Sequence, residues 1–233
     1  MLQEAERNPI DRPVDPRKLA RRPLFKAERQ LGTTKVETFV SVPEADKSVD
    51  EVEGQHPQKE EITQHAEIQH LLMKLGAEMS LDVWVARNDR SRMQSIEHIP
   101  RMLEQIPLQF NEATQRTIEL IDVLWLKNNF IVAAFEVEST TSIYSGLLRM
   151  SDLLALHPNL DIRLYLVAPD ERREKVEQEI RRPTFKLREK PLQEVCGYLS
   201  FSKLRKKVDG IRELGLASSL SPDFLQHDAE YFT

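Results

Sequence analysis

Residues 130–146 read FIVAAFEVESTTSIYSG, and they set the fold of the whole chain. The first half is aromatic, β-branched and small apolar, the composition of a core strand. That strand runs into two glutamates one residue apart, Glu136 and Glu138, and then into four hydroxyl side chains, Ser139 to Ser142. Hydroxyl residues ahead of an amphipathic run are N-cap candidates, so a helix is predicted over residues 142–158. Alternate side chains of a strand share a face. Phe130, Val132, Ala134, Glu136 and Glu138 are therefore expected on one side, and Ile131, Ala133, Phe135 and Val137 on the other. Carboxylates at the end of a core strand are costly unless something positive meets them.

Working outward, TIELIDVLWLK (117–127) reads as a second apolar strand, joined to 129–139 by the turn KNN in a predicted hairpin. Asp122 stands in the middle of it with apolar neighbours on both sides. Three carboxylates on adjacent strands, with no lysine or arginine between them, repel one another and require a cation. Hard oxygen ligands suit magnesium, or manganese in its place.

Further out, ITQHAEIQHLLMKLGAEM (62–79) places Ile68, Leu71, Leu72 and Leu75 on one helical face, with Gly76 as the expected C-cap. LDVWVAR (81–87) is a predicted strand, NDRSR a polar turn, and 97–116 an irregular helix. DIRLYLVAP (161–169) is a further buried strand and 170–183 a charged surface helix. The order is helix, strand, strand, strand, helix, strand, helix. It predicts an α/β fold with a mixed central sheet flanked by helices. Three regions are expected: 1–60 as a charged, proline-rich linker or arm, 61–190 as the domain, and 191–233 as an extension packed on it. Residues 1–60 hold six of the 13 prolines and mix 12 acidic with 11 basic side chains, too little apolar surface to offset ordering entropy. TKVETFVSV (34–42) alternates well enough to make a strand against a partner.

Asp122, then Glu136-Val137-Glu138 at the end of the next strand, then a helix and a strand, resembles the PD-(D/E)XK nuclease superfamily, the restriction-endonuclease-like fold, over about residues 62–170. The resemblance implies a nuclease hydrolysing phosphodiester bonds with Mg²⁺, Mn²⁺ substituting, most simply a DNA endonuclease in restriction or defence. It implies metal binding by Asp122, Glu136 and the main-chain carbonyl of Val137, with Glu67 as the extra helix carboxylate some members carry. Glu138 stands where most members have lysine; it would orient or deprotonate the attacking water, or help hold a second metal ion. The same departure fits an alternative, a nuclease-fold module that has lost catalysis and serves in binding.

Candidate contacts to nucleic acid are Arg149 on the helix after the site, and Lys203, Arg205, Lys206 and Lys207 in a basic helix near the end. Arg149 also has Asp152 three residues on, so pairing along the helix surface is its plainer reading. His65 is a further candidate near the site. The N-terminal segment is expected to join a homodimer or a larger defence complex.

A net charge of −5 announces no global basic field. One cysteine excludes a disulfide framework and fits a reducing compartment, so a cytoplasmic protein without a membrane segment is expected. Seven glycines offer no phosphate-cradling or dinucleotide loop, and IYSGL is not a serine-hydrolase elbow. A chain only 6% aromatic does not line a sugar cleft, which sets aside a glycosidase pair.

Overall fold

The computed structural model describes residues 24–31, 34–41, 59–107, 112–139, 143–156, 161–186 and 190–233. Most of the expected N-terminal arm lies outside them. Within it, β1 (Leu24–Leu31) and β2 (Thr34–Ser41) pair antiparallel. The strand expected at 34–42 therefore finds its partner inside this chain.

Five strands form the central sheet in the order β3-β4-β5-β6-β7: Asp82–Val85, Val123–Lys127, Phe130–Val137, Arg163–Ala168 and Cys196–Ser200. The first two pairings are antiparallel and the last two parallel. This is the mixed α/β sheet expected. β4 and β5 are joined through Asn128 and Asn129, both at positive φ (49° and 66°). Two such residues make the tight turn whose twist matches a hairpin.

Helices cover both faces. On one, α1 (Lys59–Glu78) buries Ile68, Leu72 and Leu75, and α8 (Phe201–Glu213) buries Leu204, Val208 and Ile211, against Val83, Trp125, Phe135 and Val137. On the other, α4 (Ile143–Leu156) and α5 (Arg173–Ile180) bury Ile143, Leu147, Met150, Val176 and Ile180 against Leu124, Ala134, Leu164 and Leu166. Each fully buried aliphatic side chain contributes about 1.5–3 kcal/mol. A sheet buried on both faces explains why its strands read as near-continuous apolar runs. α6 (Pro183–Lys186) and α7 (Leu192–Val195) lead into β7.

Several local expectations change. Gly76 lies inside α1 and caps nothing: a Cβ there would stand 2.5 Å from Trp125 Nε1, which donates to the Leu72 carbonyl at 3.0 Å. The polar turn NDRSR instead opens α2 (Arg90–Ile96), and Pro100 and Pro107 keep the following residues out of a helix. Residues 117–119 belong to α3 (Glu112–Glu119), whose buried Ala113, Thr114, Thr117 and Ile118 follow helical spacing. β4 thus begins only at Val123, and Asp122 precedes it at the sheet's rim. Finally, the β4–β5 register shifts between Trp125 and Leu126. Ile131 consequently joins Ala134 on the α4 face, not Ala133.

Candidate active site

β4 starts where β5 ends, so their antiparallel pairing brings Asp122 alongside the Glu136–Glu138 segment. Asp122 Oδ2 accepts the main-chain N–H of Val137 at 2.7 Å, and its own carbonyl accepts from Ala86 at 3.2 Å. A residue's N–H and C=O point to the same side of a strand, which turns the Val137 carbonyl toward Asp122 as well. All three carboxylates are buried: Asp122 is 7%, Glu136 0% and Glu138 6% exposed.

The positive partner of the two glutamates is Arg149. From α4 its Nε donates to Glu136 Oε1 at 2.9 Å and its Nη2 to Glu136 Oε2 at 2.5 Å, a bidentate pair. The same Nη2 stands 3.5 Å from Glu138 Oε1. Glu138 also accepts the main-chain N–H of Gly146 in the first turn of α4. That close approach requires glycine: a Cβ at 146 would meet Glu138 Oε1 at 2.5 Å.

Burial raises the pKa of all three carboxyls, and Arg149 opposes the rise in each. At Glu136 burial, with Asp122 adding to it, pushes the pKa up to about 8 against the bidentate guanidinium. Glu138 shares a cation already matched, and burial together with Asp122 and Glu136 holds its carboxyl well above the ordinary range. Asp122 is raised by burial too, against His65, Arg149 and the Val137 amide.

Asp122 also belongs to a second group. One ligand atom each from His65, Asp89 and Asp122 lie within 4.8 Å of one another. His65 comes from α1, on the sheet face opposite α4. Asp89 occupies the N-cap position of α2, yet its side chain caps nothing. Instead Asp89 Oδ2 accepts from Gln69 Nε2 at 2.9 Å, and Oδ1 lies 3.6 Å from Arg92 Nη1. Gln69 is fully buried and its Oε1 has no hydrogen-bond partner among the described residues. An imidazole and two carboxylates, steadied by a buried amide, fit a divalent metal ion. Glu136, with both oxygens on Arg149, fits one less well.

The sequence-predicted residues thus divide. Asp122, Glu136, Glu138, Val137 and Arg149 converge. Glu67 is exposed on α1 and pairs with Arg205 of α8 at 3.3 Å. Lys207 pairs with Asp228 at 2.8 Å, while Lys203 and Lys206 are exposed. Asp89 and Gln69 were missed. Gln69 carried a signal, since it is four residues from His65 and lies beside Ile68 and Leu72 on the core face of α1.

The family model of the type II restriction enzyme NmeDI C-terminal domain matches residues 41–231. The chain belongs to that family. NmeDI itself, from Neisseria meningitidis serogroup C, is 35% identical over 132 residues, covering 52% of this chain and 37% of the relative. The chain therefore matches well under two thirds of NmeDI's length. No solved structure matches. The NmeDI family match takes in α1, the whole central sheet and α8, so every residue of both side-chain groups lies inside it. Among the described residues no helix is long and apolar enough to cross a membrane.

Proposed function

We propose that this chain is the DNA-cleaving, metal-dependent domain of a restriction endonuclease that acts against foreign DNA, on a PD-(D/E)XK-like scaffold centred on Asp122, Glu136 and Glu138. The observation that supports it most is the buried carboxylate cluster where β4 begins and β5 ends, in a chain of the NmeDI C-terminal family. DNA as substrate follows from kinship with NmeDI, a type II restriction enzyme.

Asp122, oriented by the Val137 amide, is the residue best placed to hold a divalent ion. The bound ion supplies polarisation of a phosphoryl oxygen and a lowered pKa for the attacking water. Glu138, the carboxyl with the raised pKa and no bidentate partner, would take up the attacking water's proton. Glu136 fixes Arg149, whose side chain is 22% exposed and presents its remaining edge to a phosphate. A DNA-contacting role for Lys203 and Lys206 is part of the same proposal. The full occupation of Glu136 by Arg149 favours one other reading, a binding module without catalysis.

The test is cleavage of plasmid and linear DNA by the full chain with Mg²⁺ or Mn²⁺, beside Asp122→Ala and Glu136→Ala. Cutting that EDTA and both substitutions abolish supports the nuclease. A folded wild-type chain that binds DNA and cuts nothing with either ion leaves the binding module.

A further inference from the structure

We propose that His65, Asp89 and Asp122 form the metal site of this protein, and that the site selects a manganese-type transition ion over Mg²⁺. The inference deepens the nuclease reading and rests on it for what the ion does, though not for its binding.

Three observations carry it. The three ligand atoms converge within 4.8 Å from three separate elements: α1, the residue before α2 and the residue before β4. Two of the ligands are held by groups that leave other lone pairs open: Gln69 Nε2 on Asp89 at 2.9 Å and the Val137 amide on Asp122 at 2.7 Å. Ligating carboxylates are ordinarily steadied in this way. Gln69 spends its buried amide on Asp89 with its own Oε1 unpartnered among the described residues, a loss that a purely structural glutamine avoids.

The donor set decides the ion. Mg²⁺ prefers oxygen ligands and keeps its waters, whereas imidazole nitrogen suits transition ions, and Mn²⁺ accepts both donor types. Glu136 is excluded by its pair with Arg149, so the site has one nitrogen and two carboxylates from the chain. Arg92, 3.6 Å from Asp89 Oδ1 and half exposed, stands beside the set and can swing away into solvent.

The experiment is titration of the EDTA-stripped full chain with MnCl₂, followed by electron paramagnetic resonance of the free ion, and calorimetry with MnCl₂ and MgCl₂ in parallel. One Mn²⁺ site is expected, about tenfold or more tighter than Mg²⁺. His65→Ala and Asp89→Asn should each weaken Mn²⁺ binding about tenfold or more, and Gln69→Leu about tenfold through the loss of orientation. Glu136→Gln should leave Mn²⁺ affinity within about twofold. His65→Asp, which keeps a ligand but makes it oxygen, should narrow the Mn²⁺/Mg²⁺ difference; thermal melts without metal confirm that each variant is folded.

The proposal is overturned if Mn²⁺ does not bind, if Mg²⁺ binds as tightly, or if Glu136→Gln abolishes binding while His65→Ala and Asp89→Asn do not. Metal-dependent cutting by a chain whose Mn²⁺ binding ignores His65 and Asp89 sinks this site and leaves the nuclease. Binding as expected with no cutting sinks the nuclease and leaves the site.

Discussion

Arg149→Leu removes the guanidinium that faces two buried glutamates. Glu136 is 0% exposed and has both oxygens on Arg149, at 2.9 and 2.5 Å; Glu138 has its nearest cation there at 3.5 Å. Leucine fills much of the volume and supplies no charge. Removing one partner of a buried ion pair costs about 3–5 kcal/mol, because the other charge is left without compensation. Against a typical domain stability of about 5–15 kcal/mol this is a large fraction.

Urea unfolding of wild type and Arg149→Leu, in EDTA at neutral pH, measures it. The loss should shrink on acidification, by up to about 1.4 kcal/mol per pH unit for each carboxylate that takes up a proton. Combining Arg149→Leu with Glu136→Gln should recover part of the loss at neutral pH, since a neutral amide needs no counter-ion. Added Mn²⁺ should stabilise wild type and variant alike and leave the difference between them, because the metal group lies with His65 and Asp89. A loss under about 1 kcal/mol at neutral pH, or one that does not change with pH, refutes the ion-pair account.

Three other outcomes are expected. Gly146→Ala drives a Cβ to 2.5 Å from Glu138 Oε1 and should cost about 1–3 kcal/mol in urea unfolding, less in a Glu138→Ala background, where the space exists; equal losses in both backgrounds would place the strain elsewhere. Glu138 has its carboxyl raised in the folded state, so its contribution is fully present below the ordinary glutamate value of 4.5 and is lost as pH rises toward the folded value. In EDTA the wild-type melting temperature should therefore fall relative to Glu138→Gln from acid to neutral pH; parallel curves would show that Glu138 is not the strained carboxyl. Lys203→Gln with Lys206→Gln should cost under about 0.5 kcal/mol of stability. In DNA-binding titrations the double variant should flatten the dependence of log affinity on log salt by about 0.9 for each phosphate no longer neutralised, and an unchanged slope would remove α8 from the interface.

The sequence alone determined the layered α/β architecture, because a strand buried on both faces must be apolar throughout and an amphipathic helix must repeat its apolar positions at i, i+3 and i+4. FIVAAFEV, RLYLVA and the run Ile68, Leu72, Leu75 obey these local rules and could be read without any partner in view. The Asn128–Asn129 turn was equally local. The sequence also singled out Asp122, Glu136 and Glu138, since charge inside an apolar run is conspicuous at any distance.

Tertiary structure decided what each of them faces. Nothing in the spacing from 136 to 149 shows that α4 swings Arg149 back over the end of β5, because the distance is set by helix packing on the sheet. Nor does the sequence show that Asp89, 33 residues before Asp122, meets it at the sheet rim beside His65. Gly76 is the same lesson in packing: its local surroundings read as a helix end, and only the Trp125 indole pressed against α1 shows why a side chain is missing there. Local periodicity is a property of neighbouring residues, whereas the pairing of buried charges is a property of the folded core, where desolvation makes a carboxylate pair or shift its pKa.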